Sequence, residues 1–291
     1  GGVAYDGDMK PEIEGHEIII GISIGIAVAP EDGADATQLL KNADLALYRA
    51  KLEGRNDFRF FEDEMDSEAR QRRALEIDLR NAVARSAFEI HYQRIINIAS
   101  MKPSGIEALI RWPHPERGYI PPDRFIPLAE EIGLIAPLGE WILRKACSDA
   151  AQWPEDVKLA VNLSPAQFRS GHLVDVVKGA LQTSGLPARR LELEITESVL
   201  MQKSSGTLEI LHELKKLGVD IVLDDFGTGY SSLSYLRMFP FDKVKIDKSF
   251  TGEMGSRADC AAIVCTVANL GRMLNITTTA EGVETPEQLA L

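Results

Sequence analysis

The chain has 291 residues, 45% of them hydrophobic and 26% charged, which is the composition of a soluble globular protein with material for one large domain or two ordinary ones. Its 44 acidic and 32 basic residues leave a net charge of −12, which argues against a broad electrostatic footprint for a nucleic acid polymer or an anionic membrane. Cys147, Cys260 and Cys265 are odd in number and lack the close-pair spacing of a metal site, so neither a disulfide framework nor zinc is indicated and a reducing cytoplasm is the simplest home. The longest apolar windows, such as "IIIGISIGIAVA", stop short of the roughly 20 residues of a membrane span, and nothing resembles a cleavable signal. No membrane contact is expected of this segment, although an anchor upstream of Gly1 is compatible with it.

In chain order, "HEIIIGISIGIAVAP" predicts a strand, "EDGAD" a turn, and "ATQLLKNADLALYRAKLEGR" a helix with Leu39, Leu40, Ala43, Leu47 and Ala50 as its apolar stripe and Gly54 at its end. Roughly sixty residues are few for a self-sufficient core, so residues 1–62 read as an incomplete unit. The run "EDEMDSEARQRRALEIDLRNAVAR" has no glycine or proline and predicts a helical joint, placed at residues 63–87. From Phe88 onward short apolar strands alternate with helices: "FEIHYQRII", "GIEALIRW", "KLAVNLS", "LELEIT", "DIVLDD", "KVKID" and "ITTTAEGV". The expected class is α/β. The seven strands of residues 88–291 predict a TIM-like (β/α)8 barrel one unit short of eight, with a doubly wound open sheet as the alternative.

Polar residues collect at or near the ends of these strands: Glu107, Asn162, Glu194 and Glu197, the adjacent Asp224 and Asp225 of "IVLDDFGTGYSSL", Lys245, and Glu281. In a parallel barrel the strand C-termini open on one face, so these groups are expected to converge. Any single strand-end acid is more often a helix cap or a solvated loop residue. Six strands that each end in acid, amide or lysine are harder to assign that way. Carboxylates at close quarters raise each other's pKa, and a cation relieves them. Oxygen ligands with one amide favour Mg²⁺ or Mn²⁺ over zinc. Adjacent aspartates allow one carboxylate to bridge two ions roughly 3.5–4 Å apart, the apparatus for in-line attack on a phosphodiester. Arg111 is placed to bind a phosphate oxygen. Lys245 is placed to hold or deprotonate the attacking water, provided that its pKa is depressed. His16, His91, His114, His172 and His212 are scattered and read as surface or packing residues.

From about Phe88 the chain resembles the EAL-domain cyclic di-GMP phosphodiesterases through "EALIRW", "VNLSPAQF", "LELEITES", "DDFGTGYSSLSYL", "VKIDKSF" and "AEGVET", in order. The resemblance implies a barrel that hydrolyses cyclic di-GMP to linear pGpG with two Mg²⁺ or Mn²⁺ ions. Ca²⁺ is expected to inhibit, since it accepts looser geometry and more ligands than a site suited to Mg²⁺. It implies that Glu107, Asn162, Glu194 and Asp224 hold one ion. Asp224 and Asp225 would hold the second, with Glu281 in or behind its shell. Lys245 would contact the catalytic water, Gln93 and Arg111 the substrate, and Glu197 would brace the loop 226–232. A homodimer is also implied. Residues from about Pro11 to Phe61 resemble the tail of a GGDEF domain, without the motif that names it, so the parent protein is expected to carry upstream GGDEF or sensor domains.

Two positions depart from the family pattern near the barrel entrance, Arg94 in place of a proline and Pro103 near a strand start. The family pattern also continues beyond "TPEQLAL" with an eighth unit. Two other readings stand beside hydrolysis: a non-hydrolytic cyclic di-GMP receptor, and a cyclase that the EAL unit regulates.

Overall fold

A β-branched strand, a small-residue helix face and a second short strand build the first of two units in a computed structural model of the protein, which describes residues 12–13, 16–17, 21–201, 205–227, 236 and 238–290. The units span Gly1–Asp78 and Leu79–Leu291. In the first, β1 (Glu12–Ile13) and β2 (His16–Glu17) pair antiparallel. Strand β3 (Ile24–Ile26), helix α1 (Ala36–Leu52) and strand β4 (Phe58–Phe60) form a parallel crossover, Ile24 opposite Phe58 and Ile26 opposite Phe60. Asp35 starts α1 by accepting the Thr37 and Gln38 amides, each at 2.9 Å. Gly54, at φ +126°, follows its end as expected.

The predicted stripe of α1 fails at Leu40, which is 69% exposed; Ala50 is buried together with Asn42 and Ala46, and Leu39, Ala43 and Leu47 are half-buried. Strand and helix backbones meet on this stripe, since a Cβ on Gly25 would lie 2.0 Å from the Ala43 carbonyl oxygen and 2.2 Å from the Leu47 amide nitrogen. Strand β4 was absent from the expectation because three residues are too few to show a period. Among the described residues the long apolar stretch holds β2 and β3; residues 18–20 lie outside them. Helix α2 (Asp63–Arg85) forms over the uninterrupted charged run, with Asp63, Glu64 and Asp66 in its first turn, where they favour the helix dipole.

The second unit is a curled sheet in the order β12-β11-β10-β9-β8-β6-β5. Its strands are β5 (Glu89–Asn97), β6 (Lys102–His114), β8 (Lys158–Leu163), β9 (Leu191–Thr196), β10 (Asp220–Phe226), β11 (Lys243–Ile246) and β12 (Thr277–Ala280). The short β7 (Gly118–Ile120) pairs with β6 off this path. Between strands run α3 (Pro122–Glu131), α4 (Ile135–Ala150), α5 (Pro165–Arg169), α6 (Leu173–Ser184), α7 (Glu197–Met201), α8 (Ser205–Leu217), α9 (Lys248–Glu253) and α10 (Ala258–Leu274). Helix α11 (Pro286–Ala290) follows β12. The barrel class holds, and all seven predicted strands join one sheet. One expectation of direction fails: β5 runs antiparallel to β6, and only β6 through β12 along the path are parallel. A connection as short as Ile98 to Met101 can close only a hairpin, since a parallel return needs a dozen or more residues. Pro103 sits where the β5–β6 register shifts, opposite Ile96, a bulge position that tolerates a residue without an amide hydrogen.

The strands alternate along most of their length. Leu159, Val161 and Leu163 on β8, Leu191, Leu193 and Ile195 on β9, Ile221 and Leu223 on β10, and Val244 and Ile246 on β11 belong to the core with helix residues such as Leu143, Ala146, Val177, Leu211 and Leu214. The intervening residues turn to the inner face. At the strand starts these are Lys158, Glu192, Asp220 and Lys243, where Glu192 is 1% exposed and pairs with Lys243 and, at 3.2 Å, with Lys158. Lys158 also reaches Asp220 at 2.6 Å, and Lys215 reaches Asp242 at 2.7 Å. Three acids thus meet three lysines. Among the described residues no helix is long and apolar enough to cross a membrane.

Candidate active site at the strand ends

Two residues further along the same strands, the balance of charge is lost. Lys245, 2% exposed, lies on the inner face of β11 with its Nζ 2.9 Å from Glu194 Oε2, 3.2 Å from Asp224 Oδ2, 3.4 Å from Glu107 Oε2 and 2.7 Å from Glu281 Oε1. These acids come from β9, β10, β6 and the end of β12, and β11 supplies the lysine. Asn162 on β8 donates from Nδ2 to Glu107 Oε1 at 2.8 Å, so its amide oxygen is the ligand atom that it has to offer. Asp225 joins through Asp224 and Glu281: one carboxylate oxygen from each of the three lies within 4.8 Å of the others.

The backbone explains why two adjacent aspartates serve one site. Neighbouring strand residues ordinarily point to opposite faces. Here the β10–β11 register shifts between Leu223 and Phe226, and Asp225 takes φ +53°, in the left-handed region. Aspartate tolerates this region better than most residues, and a backbone held in it is characteristic of functional sites. The bulge brings the second carboxylate round to the side of the first. Its amide donates to Asp224 Oδ1 at 2.9 Å.

Five carboxylates share one ammonium group. Burial, reinforced by Glu107 and Asp224, pushes Glu194 well above the usual carboxylate range despite Lys245, and burial with Asp224 raises Asp225. Glu281 is raised chiefly by burial. Burial alone would lower Lys245, yet Glu194, Asp224 and Glu107 outweigh it and hold the ammonium more firmly protonated than usual. Without a bound cation, Lys245 is thus held as an ammonium. Glu194 Oε1 is buried without a hydrogen-bond partner among the described residues, a costly arrangement that a cation would relieve. Oxygen donors, one amide, excess negative charge and an orphaned carboxylate oxygen fit a hard divalent ion.

Gln93 on β5 stands directly opposite Glu107, and Arg111 lies four residues along β6 on the same face. The Arg111 guanidinium donates to the Ile110 carbonyl at 2.8 Å. Glu197, at the start of α7, is buried and accepts the Gly227 amide at 3.1 Å. Gly227, at φ +103°, has no room for a side chain, since a Cβ would meet the Phe250 ring at 2.8 Å. Of the loop 226–232 that Glu197 was expected to brace, residues beyond Gly227 lie outside the described residues. Sequence reasoning missed Glu192, although its two-residue spacing from Glu194 in "LELEIT" places both on one face. It also missed Thr251, whose hydroxyl donates to the Glu281 carbonyl and for which the sequence carries no signal.

Fold and site together define a class: a curled, mainly parallel barrel sheet that gathers carboxylates at its strand ends as a candidate centre for divalent cations. The model of the EAL domain matches residues 76–291, and the chain belongs to that family. Residues 7–57 match the model of the diguanylate cyclase GGDEF domain, of which this is a part. An uncharacterized signaling protein of Caulobacter vibrioides is 51% identical over 95% of this chain and 34% of its own length. The bifunctional diguanylate cyclase/cyclic di-GMP phosphodiesterase MucR of Pseudomonas aeruginosa is 45% identical over 95% of this chain and 41% of its own. The chain spans about a third of the length of the first two curated relatives that it matches, at 34% each. A solved structure of the PaMucR phosphodiesterase in complex with c-di-GMP superposes with a TM-score of 0.71 at 45% identity, covering 75% of this chain and 90% of that one.

Proposed function

We propose that the second unit hydrolyses one phosphodiester of cyclic di-GMP to linear pGpG, using two Mg²⁺ or Mn²⁺ ions, in bacterial second-messenger signalling. The observation that supports this most is the imbalance at the strand ends: among the described residues Glu107, Glu194, Asp224 and Glu281 gather around Lys245, Asp225 adjoins Asp224 and Glu281, and one buried glutamate oxygen has no hydrogen-bond partner. Cations bound there would stabilise both the entering and the leaving oxygen of an in-line displacement. On this reading Glu107, Asn162, Glu194 and Asp224 hold one ion, and Asp224 and Asp225 the other with Glu281. Water adds to one phosphorus, the P–O3′ bond breaks, and the ring opens to a dinucleotide with a 5′ phosphate. Lys245, held as an ammonium, offsets the carboxylates and orients the water by donating to it. Arg111 and Gln93 bind the substrate from the β5–β6 hairpin. The names of MucR and its solved complex support the choice of cyclic dinucleotide.

We further place the chain in the cytoplasm as a homodimer within a longer protein that carries upstream GGDEF or sensor domains. Three unpaired cysteines and the GGDEF match agree with the location and the upstream domains.

The substitution Asp224→Asn tests the reading. It keeps the shape and removes a charge assigned to both ions, so pGpG formation with Mn²⁺, followed by chromatography, should fall by at least about a hundredfold. Turnover near the wild-type level would contradict the assignment.

A further inference from the structure

We infer that Thr251 is a positioning residue that sets the reach of the Glu281 carboxylate. The inference rests on the proposed role of Glu281 toward the cations. Thr251 lies in α9, fully buried, and its hydroxyl donates to the main-chain carbonyl of Glu281, thirty residues away. The Lys248 carbonyl lies 3.2 Å from the same oxygen, the local contact that a helical threonine ordinarily makes. A hydroxyl carries one hydrogen, and the Glu281 carbonyl is the acceptor that lies outside its own helix.

This matters because β12 ends at Ala280, so Glu281 stands just past the ladder. Its amide donates to the Ile246 carbonyl at 3.0 Å, and its own carbonyl is taken by Thr251. The peptide is therefore held by β11 on one side and by α9 on the other. The next residue, Gly282, has φ +66°, and a Cβ there would lie 2.7 Å from Lys248 Cβ and 3.2 Å from Thr251 Oγ1, so the turn is seated on the first turn of α9 without slack. That turn is itself fixed, since Asp247 caps α9 by accepting the Ser249 amide at 2.9 Å. Thr251 thus ties the segment that carries Lys245 to the segment that carries Glu281, whose side chains meet at 2.7 Å.

Thr251→Val keeps the shape and removes the donor. The test is titration of the full chain with Mn²⁺ alone, reading free ion by electron paramagnetic resonance, for the wild type, T251V, T251S, E281Q and T251V in the E281Q background. Loss of one buried hydrogen bond predicts Mn²⁺ binding about three- to tenfold weaker in T251V. T251S should restore it, and T251V should cause no further loss once Glu281 is neutral, because the two act through one group. If T251V does not fold, T251A provides the same reading without added bulk. Binding equal to wild type in T251V or T251A overturns the inference, as does an equal loss in the E281Q background, which marks a general structural effect. A wild-type chain that loads Mn²⁺ yet leaves cyclic di-GMP intact overturns the hydrolytic reading and leaves the role of Thr251 standing.

Discussion

Asp225 shows how one residue is held in a conformation that local preference disfavours. Its left-handed backbone and half-buried carboxylate beside Asp224 both cost stability, and the raised pKa reports the second cost. Asparagine tolerates the same backbone and carries no charge. Asp225→Asn is therefore expected to raise the melting temperature of chelator-treated protein while it weakens Mn²⁺ binding; a lower melting temperature without metal would show that the carboxylate contributes to folding rather than burdening it. The pair of acids was legible in "IVLDDFGTGYSSL". The bulge that brings both to one side was not, because a one-residue register shift leaves no mark in hydrophobic alternation.

Strand β9 carries both kinds of buried acid, two residues apart on one face. Glu192 meets Lys158 and Lys243 in a balanced group at the strand starts, whereas Glu194 stands in the unbalanced group at the strand ends. Neutralising each should therefore have opposite effects on chelator-treated protein. Glu192→Gln leaves Lys243 without its buried partner and should cost about 1–3 kcal/mol in denaturant unfolding. Glu194→Gln relieves crowding and should leave stability unchanged or increased. Equal losses from both would remove the distinction between a structural and a functional end of the barrel. Strands and their alternation were readable at this scale because period-two patterning is local. The antiparallel start was readable from the short Ile98 to Met101 connection, had length been weighed with pattern. The Glu192 network required knowing which strands adjoin.

The two ends of the sheet hold a function and a foundation. Charges at the strand starts cancel within the protein. Those at the opposite ends do not cancel, and they cluster in a chain that is already at −12. On the proposed reading, that asymmetry calls for bound cations and discriminates between them. Calcium prefers more ligands and looser geometry than magnesium, so adding Ca²⁺ to Mg²⁺-loaded protein should suppress pGpG formation; full turnover with Ca²⁺ alone would contradict that discrimination. Membership of the EAL family was readable from motif order, since the motifs recur along the chain at or near successive strands of one sheet. The packing of α1 was less so: spacing found Ala43, Leu47 and Ala50 but also took in Leu40, which is exposed, because apolar content alone does not say where a stripe ends. The most direct test of the account is cleavage of cyclic di-GMP by chelator-stripped protein before and after Mn²⁺ is restored. The account predicts no pGpG from the stripped protein and its return with the ion, and undiminished cleavage by the stripped protein would contradict it.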